Sequence, residues 1–408
     1  MRQAWRSARA LPGWLQALFV GQFVSSAGSL AWIYLTLYLV SGRHLTSGRA
    51  GALAALYGVG LIAGNLLGGG VGDRIGLRRA LLGSLLGWAA TCVFVPISPL
   101  PVLAVVLVLA GLASGASRPL MSAVVLHALP AERRREGAAL GRVVFNAGTV
   151  VGPPLGALAA GRHFAVIFVV DALTSLVLAG VIWRRVPRDG APHPVLAVRA
   201  AQSRPNGQNR ATLSSALRAS PLVVAVLLTV VAVDTSYRQY YVALPLQLRD
   251  LGERPLVYGL LITANCVVIV LFEVQIALRL AGHRAAPVIA AGYALVGAGW
   301  LVIGIHAALA TVLAASVVVT AGEMLYKPTA TATVADAAPP GRAGTYQSLY
   351  AAASISGTVL APALGGAGYG VSPRGLWLSA AAVALVAGAA LARGGARAGS
   401  GNRVETPA

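Results

Sequence analysis

Apolar positions in this chain come in long unbroken blocks, separated by short polar or arginine-bearing stretches. A helix needs about 20 predominantly apolar residues to cross a hydrocarbon core of about 30 Å. Blocks of that kind run at about 14–40, 50–72, 80–97, 100–126, 138–160, 163–183, 221–247, 255–277, 286–305, 307–335, 344–368 and 375–392. Each predicts a membrane-spanning helix, so the expected fold class is an all-α membrane protein of 12 transmembrane helices. Several blocks are rich in Gly and Ala, which lets helix backbones approach closely inside a bundle. The most polar internal segment runs from Arg184 to about Ser220 and contains VPRDGAPHP and SRPNGQNR. It is too polar and too rich in Pro and Gly to cross a bilayer. With six blocks on each side, the pattern predicts a six-helix half over 1–184, a cytoplasmic linker over 185–220, and a second six-helix half with a short cytoplasmic tail over 221–408.

An internal repeat supports the division. Shifting the chain by 209 residues aligns 118–156 with 327–365 without a gap, and 13 of these 39 pairs are identical. Shared Ala-rich composition supplies some matches, but it does not put Pro119, Pro130 and Pro153 in register with Pro328, Pro339 and Pro362. Nor does it align Gly148 and Gly156 with Gly357 and Gly365. Helices four and five thus repeat as ten and eleven, and the halves are expected to be pseudo-symmetric, related about the membrane normal.

Only 11% of the residues are charged and 57% are hydrophobic, against roughly 25% charged residues in a soluble domain. The net charge of +20 raises nucleic acid as a partner, and its distribution excludes it. Of the 32 basic residues, 22 fall on the amino terminus, the even-to-odd loops and the carboxyl tail, and six on the opposite loops. That asymmetry is the positive-inside pattern, and it predicts a multi-pass protein of the cytoplasmic membrane with both termini in the cytoplasm. A nucleic-acid binder would gather its charge on one soluble face. Cys92 and Cys266 both lie inside apolar blocks, so neither a disulfide nor a metal pair is expected.

After the second block comes Gly69-Gly-Gly-Val-Gly-Asp73-Arg74-Ile-Gly76-Leu-Arg78-Arg79. In this stretch the chain resembles the major facilitator superfamily, whose loop between helices two and three reads G-x-x-x-D-R-x-G-R-R or close to it. Leu77 stands where the family usually has a basic residue. The resemblance implies a gating role for Gly69, Asp73, Arg74, Gly76, Arg78 and Arg79: a cytoplasmic latch in which the acid sits at a helix amino terminus and the arginines bridge to the other half. The fifth block carries Gly148-Thr-Val-Val-Gly152-Pro153-Pro154-Leu-Gly156. It is similar to the G-x-x-x-G-P-x-x-G-G motif of that superfamily's drug–proton antiporters, with Ala157 in place of the last glycine. Gly152 and Pro153 would bend the helix and the small residues would seal it against a neighbour. The second copy at Gly357–Gly366 shows that such a motif also serves plain packing. Ser117-Arg118-Pro119, Pro130-Ala-Glu132-Arg133 and Val170-Asp171-Ala172 likewise resemble bacterial 12-helix multidrug exporters. The chain departs from that pattern twice: Leu107 stands near the place of an intramembrane Arg in helix four, and helix one offers only Gln16 and Gln22 where some antiporters keep an acid.

Ionisable residues within spans are costly and point to function. Here they are Arg118, Arg142, Asp171, Asp234, Arg238, Glu273, Glu323 and Lys327. Asp234–Arg238 and Glu323–Lys327 are spaced to share a helix face, and two such pairs can either brace the bundle or take part in transport. Proton binding at either acid would require its basic partner to turn away at some point in the cycle. The resemblance implies that helices one, four, seven and ten line the substrate path, which places both pairs there as coupling or substrate-binding residues. Asp171 lies on a peripheral helix and is expected to be structural. Tyr237, Tyr240 and Tyr241 cluster on helix seven, where their rings can stack an amphipathic or cationic ligand or anchor the span end.

The chain shows no Walker loop and no cluster of metal-ligating residues, so no cofactor, metal or enzymatic activity is expected. The expected protein is a monomeric, proton-coupled transporter exporting a small amphipathic compound by alternating access. The alternatives are an importer or facilitator of a nutrient such as a sugar or peptide, and a membrane sensor or scaffold without transport.

Overall fold

The computed structural model describes residues 11–130, 134–160, 163–187, 221–280, 282–338 and 343–400. Most of the expected linker lies outside them. Among the described residues every regular element is helical. Ten helices among the described residues are long and apolar enough to cross a membrane. Two expected spans fall short of that, each for a visible reason. The first block breaks into α1 (Gly13–Gly28), a turn, a three-residue α2 (Leu35–Leu37) and a π-helical turn over Tyr38–Gly42. The fifth is continuous as α6 (Arg134–Ala160), but Arg142, Asn146 and Thr149 dilute its apolar run. The other long elements are α3 (Ser47–Ile75), α4 (Leu77–Phe94), α5 (Leu100–His127), α7 (Ala165–Arg185) and α8 (Pro221–Tyr237), then the short α9 (Gln239–Val242) and α10 (Leu244–Asp250). They are followed by α11 (Pro255–Leu280), α12 (Ala285–Ile305), α13 (Leu309–Asp336), α14 (Ala343–Val371) and α15 (Pro373–Ser400).

The described residues form two compact units, one drawn from 1–45, 52–209 and 254–266, the other from 46–51, 210–253 and 267–408. In the first unit, α3 and α5 meet backbone to backbone. A Cβ built at Gly60 would stand 2.0 Å from the Val108 carbonyl oxygen, and one at Gly111 2.0 Å from that of Tyr57. Between α3 and α4 the chain turns at Gly76, whose φ of 92° favours glycine. In the second unit, α12 packs between α13 and α15, and Trp300 and Trp377, both fully buried, face each other at 5.0 Å. The Trp377 indole donates to Gln247 Oε1 at 2.9 Å, which ties α15 to α10. The run α8–α10 is interrupted at Arg238 and again at Ala243. Pro245 has no N–H for the Tyr241 carbonyl, so a single straight helix cannot continue through it.

Close approach at Gly111 makes a direct prediction. Gly111→Val should eliminate the monodisperse peak in detergent size-exclusion chromatography, because its side chain collides with backbone that cannot move away. Gly83, where an added Cβ meets nothing within 4 Å, should tolerate the same substitution. Equal behaviour of the two variants would refute the tight α3–α5 crossing.

Candidate functional site

The second unit contains a motif written twice. Asp234-Thr-Ser-Tyr237-Arg238 ends α8, and Glu323-Met-Leu-Tyr326-Lys327 lies in the middle of α13. Each reads acid-x-x-Tyr-base, so acid, tyrosine and base share one helical face. The two copies are cross-linked. Tyr326 of α13 donates its hydroxyl to Asp234 Oδ1 at 2.5 Å, and Tyr237 of α8 donates to Glu323 Oε2 at 2.7 Å. Asp234, Tyr237 and Tyr326 are 2% exposed or less, and Glu323 8%. Buried carboxylates need hydrogen-bond donors, and here each acid obtains a hydroxyl from the opposite helix.

The bases divide differently from the expectation that each would pair with its own acid. Lys327 does so, its Nζ 2.6 Å from Glu323 Oε1, and it also sits 4.0 Å above the Tyr237 ring. Arg238 does not. The remaining Asp234 oxygen, Oδ2, accepts the hydroxyl of Ser354 on α14, so hydroxyls occupy both of its oxygens. Arg238 instead lies against Gly357, where a Cβ would come within 3.1 Å of the arginine Cδ and 3.0 Å of the Asp234 backbone. Its Nε is buried and has no hydrogen-bond partner among the described residues. Tyr240 and Tyr241 extend the cluster, with ring centroids 5.7–6.3 Å apart among Tyr237, Tyr240 and Tyr241. Tyr240 is wholly buried and packs toward Trp300, while Tyr241 is half-buried. Glu273, on α11, is also half-buried and is engaged in contacts of its own.

In the first unit, Arg118 is exposed on α5, with its guanidinium 4.7 Å from the Phe145 ring, and Arg142 is exposed on α6. The repeat places Ser114 where the second half has Glu323, and that serine receives the Tyr57 hydroxyl at 3.1 Å. Tyr57 reaches that serine from α3, whereas the Tyr237 hydroxyl reaches Glu323 from α8, so the two bonds come from different helices of their units.

Gly148, Gly152 and Gly156 line the face of α6 that meets α1. Built Cβ atoms there would come within 2.5 Å of Ser26, 2.6 Å of Ala27 and 2.9 Å of Tyr34. Pro154 has no N–H for the Val150 carbonyl, and the Thr263 hydroxyl takes that acceptor at 2.9 Å. Pro153 offers its own carbonyl to Tyr34 at 2.7 Å. In the loop motif, Arg78 is held by the end of α7. It is buried within the first unit, where it donates to the Trp183 carbonyl at 2.7 Å and lies 5.2 Å from the Trp183 ring, at the end of α7. Those terminal carbonyls have no helical donor, and a cation suits the helix's negative end. Gly69, Asp73, Arg74 and Arg79 are exposed.

Asp171, expected to be structural, is 1% exposed and accepts three hydrogen bonds. Oδ2 receives the backbone N–H of Leu30 and of Ala31, each at 3.0 Å, and Oδ1 receives the Trp88 indole at 2.8 Å. These backbone donors belong to the break after α1, so the carboxylate of α7 holds the interruption open.

Comparison with known proteins agrees with this architecture. The family model of the Major Facilitator Superfamily matches residues 18–247 and 226–407. The uncharacterized MFS-type transporter YttB of Bacillus subtilis (strain 168) is 26% identical over 366 residues, covering 87% of this chain and 88% of the relative. YqjV of the same organism, also an uncharacterized MFS-type transporter, is 25% identical over 351 residues, covering 84% and 83%. Among solved structures, a peptide transporter POT in complex with sulfate superposes with a TM-score of 0.76 at 18% identity, covering 97% of this chain and 99% of that one. A POT family transporter in complex with 5-aminolevulinic acid gives 0.73 at 15% identity, with 95% and 96% covered. At such identities these two likenesses show the fold alone. The chain belongs to the Major Facilitator Superfamily and is a multi-pass, all-helical membrane transporter.

Proposed function

We propose that this transporter couples proton movement to the export of a small amphipathic compound, working as a monomer in the cytoplasmic membrane by alternating access. The doubled acid-x-x-Tyr-base motif carries the reading. Of the two buried carboxylates in one unit, each held by a tyrosine hydroxyl from the opposite helix, Asp234 has no basic partner closed on it and is suited to taking up and passing a proton. Arg118, Arg142, Glu273 and Tyr241 are assigned to the substrate path, and Asp73, Arg74 and Arg79 to the cytoplasmic latch. The Gly148–Gly156 face on α1 supports export, through its likeness to the antiporter motif. A second reading, uptake of a peptide, is favoured by the fold likeness to peptide transporters. A sensor without transport is the third.

Reconstituted vesicles with an imposed pH gradient separate them. Export requires candidate compounds to leave the cytoplasmic side as protons enter, recorded by a trapped pH dye, and a deletion strain to become sensitive to the same compounds unless an uncoupler is present. Gradient-driven movement in the other direction would establish uptake. Absence of flux for every compound would leave the sensor.

Topology is tested by labelling. In a chain lacking Cys92 and Cys266, a cysteine at the 69%-exposed Ile97 should react with an impermeant reagent in intact cells, and one at Gly207 only after lysis. Reaction of Gly207 in intact cells would overturn the assignment of both termini and the 185–220 linker to the cytoplasm.

A further inference from the structure

We propose that Arg238 anchors a subsite for an oxyanion (a carboxylate or a phosphonate) carried by a ligand with an apolar body. This builds on the transporter reading above and assigns the chemistry of what is carried. The doubled motif supplies an internal control. In one copy the base is neutralised, with Lys327 on Glu323 at 2.6 Å. In the other the acid is taken by two hydroxyls, from Tyr326 and Ser354, and the base is left over. A guanidinium stays charged throughout the physiological range, and an unneutralised charge inside a membrane bundle is costly. Its Nε is buried without an acceptor among the described residues, and a buried donor of a charged group calls for an acceptor from elsewhere.

The shape of the group defines the ligand. Arginine presents parallel N–H donors that match two oxygens of one carboxylate or phosphonate, which a cation or a neutral amide cannot use. Gly357 lets the arginine side chain pack directly on α14, where a Cβ would come within 3.1 Å of its Cδ, and so fixes the position of the guanidinium stem. Tyr241 lies three residues on, joined to Arg238 by a backbone hydrogen bond of 2.9 Å, and its half-buried ring provides an apolar surface on the same side of the chain. The subsite therefore fits an aryl or alkyl oxyanion. A transported solute and a phospholipid headgroup share that chemistry.

Binding separates the possibilities without requiring transport. The full-length protein in nanodiscs of phosphatidylcholine is titrated with benzoate and phenylphosphonate, followed by intrinsic tryptophan fluorescence, with benzylamine as the cationic control. Wild type should bind at least one oxyanion. Arg238→Gln should weaken that binding about tenfold or more, as expected for losing a bidentate charge-assisted contact, and Arg238→Lys should be intermediate. Benzylamine should respond equally in all three, which also reports that the variants are folded. If phosphatidylglycerol in the discs displaces benzoate from wild type, or is itself retained only when Arg238 is present, the headgroup is the source of the oxyanion and the subsite stands. Equal oxyanion affinity in wild type and Arg238→Gln would overturn the proposal. So would the absence of both oxyanion binding and Arg238-dependent lipid retention in wild type. Oxyanion binding without proton-linked flux would keep the subsite and overturn only the proton-coupling reading.

Discussion

Asp234→Asn should abolish uphill transport while leaving downhill exchange of substrate intact. One pH unit is worth about 1.4 kcal/mol, so each coupled proton sustains about a tenfold concentration ratio per unit of gradient. In the asparagine variant that ratio should fall to about one. Asp234 is favoured over Glu323 because of the partners each would disturb. Both Asp234 oxygens accept hydroxyls, from Tyr326 and Ser354, and a hydroxyl can rotate from donor to acceptor when the carboxyl gains a proton. The Asp234 site therefore accommodates both protonation states without stranding a charge. Adding a proton to Glu323 would break the contact with Lys327 and leave a half-buried ammonium, its side chain 31% exposed, without its partner. Glu323→Gln should accordingly impair substrate affinity and folding yield more than coupling. The check is paired: accumulation under an imposed pH gradient, and counterflow with equal pH on both sides. Full accumulation by Asp234→Asn would remove this acid as the carrier and move Glu323 or Glu273 ahead.

The twofold acid–base spacing was legible in the sequence because i, i+4 is a local distance fixed by the helix. Whether each pair closes was not legible. Lys327 and Arg238 have the same spacing from their acids, and only the tertiary placement of Ser354, 120 residues from Asp234, separates their fates. A signal was nonetheless present: the tyrosine at i+3 in both DTSYR and EMLYK marks the residues that reach across. The twelve apolar blocks were readable because hydrophobic length is a one-dimensional property. The break after α1 was not, since no proline lies inside it and its cause is an acid 140 residues away. Arg78 reads as part of a cytoplasmic basic cluster, yet it is buried against the end of α7, because free terminal carbonyls are not visible in a string of residue types.

Asp171 offers the sharpest test of how the first unit is held. Its two oxygens have different duties: Oδ2 takes both backbone donors of the α1 break, and Oδ1 takes only the Trp88 indole. Asp171→Leu leaves all three donors buried without acceptors. An unsatisfied buried donor costs about 1–3 kcal/mol, so the loss should be several kcal/mol, a large share of an ordinary stability of about 5–15 kcal/mol. The variant should fail to accumulate as a monodisperse species. Asp171→Asn is the informative change. Its one carbonyl oxygen can still accept from Leu30 and Ala31, while its amide points two donors toward the indole N–H, donor against donor. Loss of apparent melting temperature should therefore be intermediate, and Trp88→Phe should relieve part of it, because removing the indole N–H removes the conflict. In a wild-type background Trp88→Phe should itself be destabilising, since it withdraws a donor that the carboxylate uses. A double variant more stable than Asp171→Asn alone, measured by thermal unfolding in detergent, is the expected coupling between the two sites. Simple additivity of the two losses would mean that the indole and the carboxylate do not share this bond, and that the α1 break is held by the backbone contacts alone.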